Sequence, residues 1–451
     1  MSAALAAAVL DLVRAAAPGA EAEVRVAEST LALTRFANSF VHQNVADSGT
    51  RIRLRVHLDG RTASGSATGT DPAALGRLVA STVSAARLLP VDHGWPGLTG
   101  PAAVATAGNW DEPTADAPPE VRAALVRDFV AAADGLESAG FCRTHAERLT
   151  YANTAGQHVG ATYTSAAADG IARLAAGPGG IRADGVARRA AAAVGELDGT
   201  ALGTIAAAKA RAAADPTELP PGRYEVVLEP SAVADVLTLL GMHGFNGRAV
   251  NEGRSFLVPG TAQFDPAVTL DDDATDPAAI GAGFDAEGTP KRPTPLVAAG
   301  VSGGPVHDRR TAAEAGTEST GHAVPGGERF GAMPENLFLR PGGGGTVDDL
   351  VAGVERGLLV SDLWYTRVLD PKTLVVTGLT RNGVWLIEDG KVRRAVSNLR
   401  FTQSYADALG PGNVLGVGSV PASVPVSWDL GALHSPPVRL ASWNMTGGAS
   451  G

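Results

Sequence analysis

Nine histidines and one cysteine are the side chains in this 451-residue sequence best suited to hold a transition metal, and their spacing argues against a helical metal site. Two ligands on one helix must lie about three to five residues apart to face the same ion. No two of His42, His57, His93, His145, His158, His243, His307, His322 and His434 are closer than thirteen residues, and no HExxH occurs. The lone Cys142 excludes an internal disulfide, every zinc-finger type of site and every iron–sulfur cluster, since each needs two or more thiolates from one chain. Oxygen donors are more plentiful. Asp271-Asp-Asp273, Asp276, Asp285 and Glu287 bring six carboxylates within seventeen positions, a composition that suits hard cations. The EF-hand spacing is absent, and Pro277 and Pro290 mark irregular chain, so a structured acidic loop is the better reading.

Two further patterns resemble catalytic motifs only in their letters. Gly300-Val-Ser-Gly-Gly304 fits G-x-S-x-G, but that elbow needs a helix directly after the serine, and Pro305-Val306 follows instead. A serine in a glycine-rich hairpin is expected. The run Arg340-Pro-Gly-Gly-Gly-Gly345 ends at Thr346, a capping residue with Asp349 three positions on; no Gly-Lys-Ser/Thr follows, so it is not a P-loop.

The elements that must position these residues read as two units. Leu5, Val9, Leu12 and Val13 share one face of a first helix, interrupted as a signal peptide by Asp11 and Arg14. Arg51–Leu58 alternates polar and apolar, burying Ile52, Leu54, Val56 and Leu58 on one face, and Asp59-Gly60 supplies a hairpin turn. With Leu31–Phe36, Phe40–Val45 and Arg61–Thr68 it makes an antiparallel meander of about four strands, followed by a helix capped by Thr70 or Asp71. Helices near Pro119–Asp134 and Thr200–Ala214 flank further strands. Asp215-Pro-Thr-Glu-Leu-Pro-Pro-Gly222 breaks every regular element, which divides the chain into residues 1–215 and 222–451. The second part is mostly β: a strand over Arg223–Leu228, a helix from Pro230 to Gly241, another near Thr346–Leu358, and a meander turning at Asn382-Gly383 and Asp389-Gly390. The fold class expected is α+β, an N-terminal domain with an antiparallel sheet and a β-rich C-terminal domain. The net charge of −10 disfavours nucleic acid and anionic membrane. The uncharged stretch 408–428 carries too many Gly and Pro for a membrane helix. A cytoplasmic protein is expected.

Over nearly its whole length the chain resembles the TldD/PmbA (TldD/TldE) family, with the stronger signals in the C-terminal half. The residues that carry the resemblance are Ala232–Gly247, Gly253-Arg-Ser-Phe256, Asp271–Asp273, Phe284-Asp-Ala-Glu-Gly288, Pro293–Val297, His307-Asp308, Ser319-Thr-Gly-His-Ala323, Asn336, and Asn398-Leu-Arg-Phe401. The resemblance implies a C-terminal curved sheet or barrel. It also implies a zinc peptidase chemistry in the TldD branch, from an HExxxH helix and a late cysteine. At the matching helix this sequence has Gly241, Met242 and Asn246, with His243 offset and Cys142 in the wrong half. The chain therefore looks like the PmbA/TldE branch, with no catalytic or metal residue and no cofactor of its own, zinc being expected in a TldD-type partner subunit. Unfolded or precursor peptides are the implied substrates. His243 and Asn246 are candidates to line a peptide chamber, and Ser319, Thr320, His322 and Asn336 to contact peptide. An extended peptide adding to a sheet edge, and an acidic lining favouring neutral or basic peptides, would suit that role. The alternatives are a peptidase acting alone or as a homodimer, using His243, His322 and the acidic loop, and a peptide-binding maturation factor without cleavage.

Overall fold

The computed structural model describes residues 2–105, 108–175, 183–426 and 431–448, so the end of the 408–428 stretch lies outside the described residues. The first unit runs α1 (Ser2–Ala16), β1 (Glu21–Ala37), β2 (Phe40–Leu58), β3 (Arg61–Ala67), α2 (Pro72–Leu88), α3 (Glu112–Ala115), α4 (Pro119–Ala132), β4 (Glu137–Asn153), β5 (His158–Arg173), β6 (Asp184–Ala191) and α5 (Gly199–Ala212). Its strands form one antiparallel sheet in the order β3-β2-β1-β4-β5-β6. Instead of four short strands, the meander is two very long ones and a short third. The chain reverses at Asn38-Ser39, both at positive φ, and β1 pairs with β2 along its whole length. Residues 40–49 of β2 are exposed on both faces, which removes the alternation that would have marked them as one strand.

Helices cover one face of this sheet. Val9 and Val13 of α1 and Leu75, Leu78 and Val83 of α2 pack on Val24, Val26, Ile52, Leu54 and Val56. Phe129 of α4 and Ala206 and Ala210 of α5 pack on Phe36, Cys142 and Ala166. Asp71 caps α2 by accepting the Ala74 N–H at 2.9 Å.

The second unit contains β7 (Gly222–Leu228), α6 (Pro230–Leu239), a π-type turn at Leu240–Gly244, α7 (Gly247–Asn251), β8 (Leu270–Asp272), β9 (Thr294–Ala298), β10 (Val301–Ser302), α8 (Arg309–Ala315), β11 (Leu337–Leu339), α9 (Val347–Ala352), β12 (Arg356–Asp370), β13 (Val375–Glu388), β14 (Lys391–Ala395), β15 (Leu399–Ser404), α10 (Tyr405–Ala408), β16 (Val414–Val417), β17 (Ala422–Pro425), β18 (Ala432–Ser435) and β19 (Val438–Gly448). Five strands close into a ring, β12-β7-β19-β15-β13 and back to β12, with β14 and β16 attached outside it. Closure leaves the ring without free edges. Its apolar core joins Val226, Val360, Val376, Leu386, Phe401, Leu440 and Trp443 to α6. A second sheet, β10-β9-β8-β11-β18-β17, carries the acidic segment. Ala299 and Gly300, both at positive φ, make the β9–β10 turn, so Ser302 lies in a hairpin as expected.

Two expectations change here. Asn382-Gly383 is a bulge inside β13, not a turn: Val360 pairs with Val384 but Asp362 with Arg381, and Asn382 Nδ2 donates to Asp362 Oδ2 at 3.1 Å. The helix after Thr346 ends at Ala352, because from Arg356 the chain joins β7 and β13 in the ring.

Candidate functional site

The alternation that buries Ile52, Leu54 and Val56 under the helices turns Arg53 and Arg55 to the opposite face of β2. That face meets the second unit. Register places Arg25 of β1 directly opposite Arg53, and Glu23 opposite Arg55. Segments of α7, α8 and the 286–287 and 323–331 loops form the other wall, and together they enclose a cleft of about 300 Å³. At its floor Tyr151 donates its hydroxyl to Glu23 Oε2 at 2.8 Å. Arg55 bridges Glu23 at 2.7 Å and Glu287 at 2.9 Å, while Glu287 Oε2 accepts the Arg309 N–H at 2.9 Å. Burial pushes the Glu23 carboxyl above its ordinary range, with the Arg55 charge opposing. Burial also works against the Arg55 charge, but Glu23 and Glu287 outweigh it and hold the guanidinium still more firmly protonated.

The Phe284–Gly288 motif supplies this floor. Asp285 Oδ1 accepts the N–H groups of Glu287 and Thr289, and Oδ2 accepts that of Ala323, which folds the motif onto the 323–331 loop. Burial and the neighbouring Glu287 charge nevertheless push the Asp285 carboxyl up, to about 8. Gly288 has φ +70°, and a Cβ there would overlap the Tyr151 ring. At the mouth, Arg53 meets Glu328 at 2.7 Å and Arg248 reaches Glu252 and the carbonyls of Glu328 and Arg329.

None of the six candidates from the sequence is among the residues lining the cleft. Four of them come together elsewhere, around Asp272. His322 is fully buried, with Nε2 at 3.0 Å from Asp272 Oδ1 and Nδ1 at 2.9 Å from Thr320 Oγ1. The backbone N–H of Asn336 donates to Asp272 Oδ2 at 2.7 Å, and its Nδ2 to the Ile280 carbonyl. Ser319 donates to the His307 carbonyl, and Thr320 Oγ1 accepts the His307 N–H at 2.7 Å. Burial pushes the Asp272 carboxyl up, but His322, Lys291 and the Asn336 N–H together bring it below the usual range. Hydroxyl, imidazole and carboxylate thus stand in the order of a nucleophile, base and orienting acid. Yet the imidazole has no exposed surface, and the hydroxyl is already held by the backbone of His307. The cluster pins the 307–322 segment to β8.

His243 and Asn246 sit apart from that cluster. His243 lies in the π-type turn, where burial and the Arg254 charge lower its basicity. Asn246 caps α7, accepting the Ala249 N–H and donating to the Phe330 carbonyl. It stands behind the cleft rim at Gly331, where a Cβ would come within 2.8 Å of its Oδ1. Gly241 faces Pro334 and Leu337. Glycine, a thioether and an amide engaged by the Phe330 carbonyl and the Ala249 N–H, at positions 241, 242 and 246, do not fit zinc. Among the described residues no group of three or more His, Cys, Asp or Glu side chains is placed to hold a metal. The acidic segment is held by cations of the chain itself: Arg340 reaches Asp271 at 2.7 Å, Asp276 at 2.9 Å and Asp273 at 3.6 Å. Asp271–Asp273 do not line the cleft. The sequence signals that lead to the cleft are the alternating arginines of β2 and the Phe284–Gly288 motif, whose Ala286 and Glu287 line it.

Comparison with known proteins matches residues 221–447 to the PmbA/TldA metallopeptidase C-terminal domain. No protein of curated function matches the chain. The fold is shared with TldE from Thermococcus kodakarensis, at 19% identity and a TM-score of 0.88, covering 98% of this chain and 100% of that one. It is also shared with a candidate modulator of a DNA gyrase from Thermotoga maritima, at 18% identity and 0.84, covering 97% and 99%. A similarly described protein from Bacteroides thetaiotaomicron gives 18% and 0.85, covering 99% and 98%.

Proposed function

The chain belongs to the TldD/PmbA metallopeptidase family, and from that premise we propose that it is a TldE-like, non-catalytic subunit of a heterodimeric zinc peptidase acting on unfolded or precursor peptides. The observation that carries this reading is the stretch from the π-type turn to the α7 cap, with Gly241, Met242 and Asn246: where the resemblance calls for two ligands and a base there stand a residue without a side chain, a thioether and an amide already bonded to the Phe330 carbonyl and the Ala249 N–H. Zinc would then come with a TldD-type partner. Peptide handling is supported by the interdomain cleft and by a free sheet edge. Residues 40–50 of β2 pair only with β1 among the described residues, and backbone groups on such an edge bind extended chain with little regard to sequence. The same reading places the complex in the cytoplasm, where a lone buried thiol needs no oxidising surroundings. Among the described residues no helix is long and apolar enough to cross a membrane.

The test is metal content and casein cleavage of the purified chain, alone and mixed with a TldD-type chain. Less than stoichiometric zinc in the chain alone and cleavage only in the mixture are expected. Chelator-sensitive cleavage by the chain alone would overturn the assignment.

A further inference from the structure

We propose that the cleft binds the C-terminal carboxylate of a short peptide on Arg25 and Arg53. The inference rests on the peptide-handling role above and names which part of a peptide this chain holds.

Two like charges set directly across an antiparallel pair cost stability unless something between them is negative. Arg25 and Arg53 are such a pair, on the sheet face that lines the cleft. Each is only partly neutralised. Among the described residues Arg25 donates one hydrogen bond, to Glu147 at 3.0 Å, and Arg53 one, to Glu328 at 2.7 Å. A guanidinium carries five N–H donors, so both keep most of their donors for a ligand, with side-chain exposures of 21% and 34%. Arg55, two residues along the same face, is by contrast engaged on both sides by Glu23 and Glu287.

The planar fork of arginine matches an oxyanion with two oxygens. Both a carboxylate and a phosphate offer that chemistry, and the rest of the lining favours the carboxylate. Five arginines and six carboxylates surround the cleft, so a multiply charged anion would meet more repulsion than attraction. A peptide end brings a single negative charge, followed by amides that the remaining polar wall can pair. The volume of about 300 Å³ is at the small end of ligand sites and holds the last few residues of a chain, not a folded partner.

The experiment measures binding of a fluorescent tripeptide with a free C-terminus to the full chain, beside its C-terminally amidated twin, with inorganic phosphate as competitor. The free acid is expected to bind at least ten-fold more tightly than the amide, and phosphate to displace it only at far higher concentration. Arg53→Gln, at the rim and partly exposed, should erase the acid-over-amide preference, while Arg53→Lys should keep part of it. Equal affinity for acid and amide, no binding of either peptide at millimolar concentration, or displacement by phosphate as readily as by free-acid peptide would each overturn the proposal. Cleavage by the mixture with a TldD-type chain is measured in parallel. Cleavage that survives when the preference is absent refutes the carboxylate site alone, whereas absence of cleavage by the wild-type mixture refutes the subunit role.

Discussion

Acidification should weaken this protein through one imidazole that the fold keeps uncharged. His434 lies on β18, 7% exposed and stacked on Phe338 with ring centroids 4.2 Å apart and planes within 3°. Burial holds its pKa down, to about 4, against the pull of Asp276. In an unfolded chain the same group titrates near 6.5. Between these values the unfolded chain binds a proton that the folded one does not, so stability is complete above pH 6.5 and falls as the pH drops towards 4. The free-energy difference reaches about 3 kcal/mol at pH 4. His434→Phe preserves ring stacking and removes the proton site. Any packing cost of the larger ring is present at every pH and cancels in the comparison. Urea unfolding of wild type and variant, followed by tryptophan fluorescence at pH 7 and pH 4, measures the gap between them. That gap should move by about 3 kcal/mol in favour of the variant at the lower pH. A change below about 1 kcal/mol would show that the imidazole finds solvent or a partner on protonation, and the reasoning would fail.

Asp235 should act with the opposite sign. Burial raises its carboxyl to about 6 although Tyr405 and Thr366 donate to it, so the folded chain takes up a proton first as the pH falls and the resulting stabilisation is lost as the pH rises through 6. Relative to Asp235→Asn, wild type should gain about 1 kcal/mol between pH 7 and pH 5 in the same urea assay. Gly288→Ala, at φ +70° against the Tyr151 ring, should cost more than about 2 kcal/mol; an unchanged melting temperature would contradict the packing of the cleft floor. Trp443→Ala, 1% exposed inside the ring, should lower stability by about 3–5 kcal/mol by the same urea titration.

Local signals carried much of the architecture. The turn at Asp59-Gly60, the Asp71 cap and the strand Arg51–Leu58 depend on neighbours within a few residues, and they appear where the sequence puts them. The spacing of histidines is equally local. Asn382-Gly383 misled because its positive φ values serve a bulge as well as a turn, and only the simultaneous pairing of β13 with β12, β14 and β15 decides between them. The cleft was hidden for a related reason. Alternation shows that Arg53 and Arg55 leave the apolar core, but not that a loop some 230 residues away, at Glu287, covers them. Family motifs did bring Thr320, His322 and Asn336 to one place, but whether an imidazole there is open to a substrate is a matter of burial, which no motif states.

The closed ring of strands also constrains when this half of the protein can form. Its first strand, β7, pairs in parallel with β12 from residue 357 onward and antiparallel with β19, which ends at Gly448. Both neighbours of β7 are therefore made long after it, and the loop entropy of bringing them back must be met before either seam rewards it. On a ribosome the strand Glu225–Leu228 waits unpaired until β12 has emerged, and its other edge stays open until β19 follows, exposed to wrong partners for that time. A chain cut short before Val438 would leave the ring open on both sides of β19, so truncation near the C-terminus should give aggregation in place of a smaller folded protein.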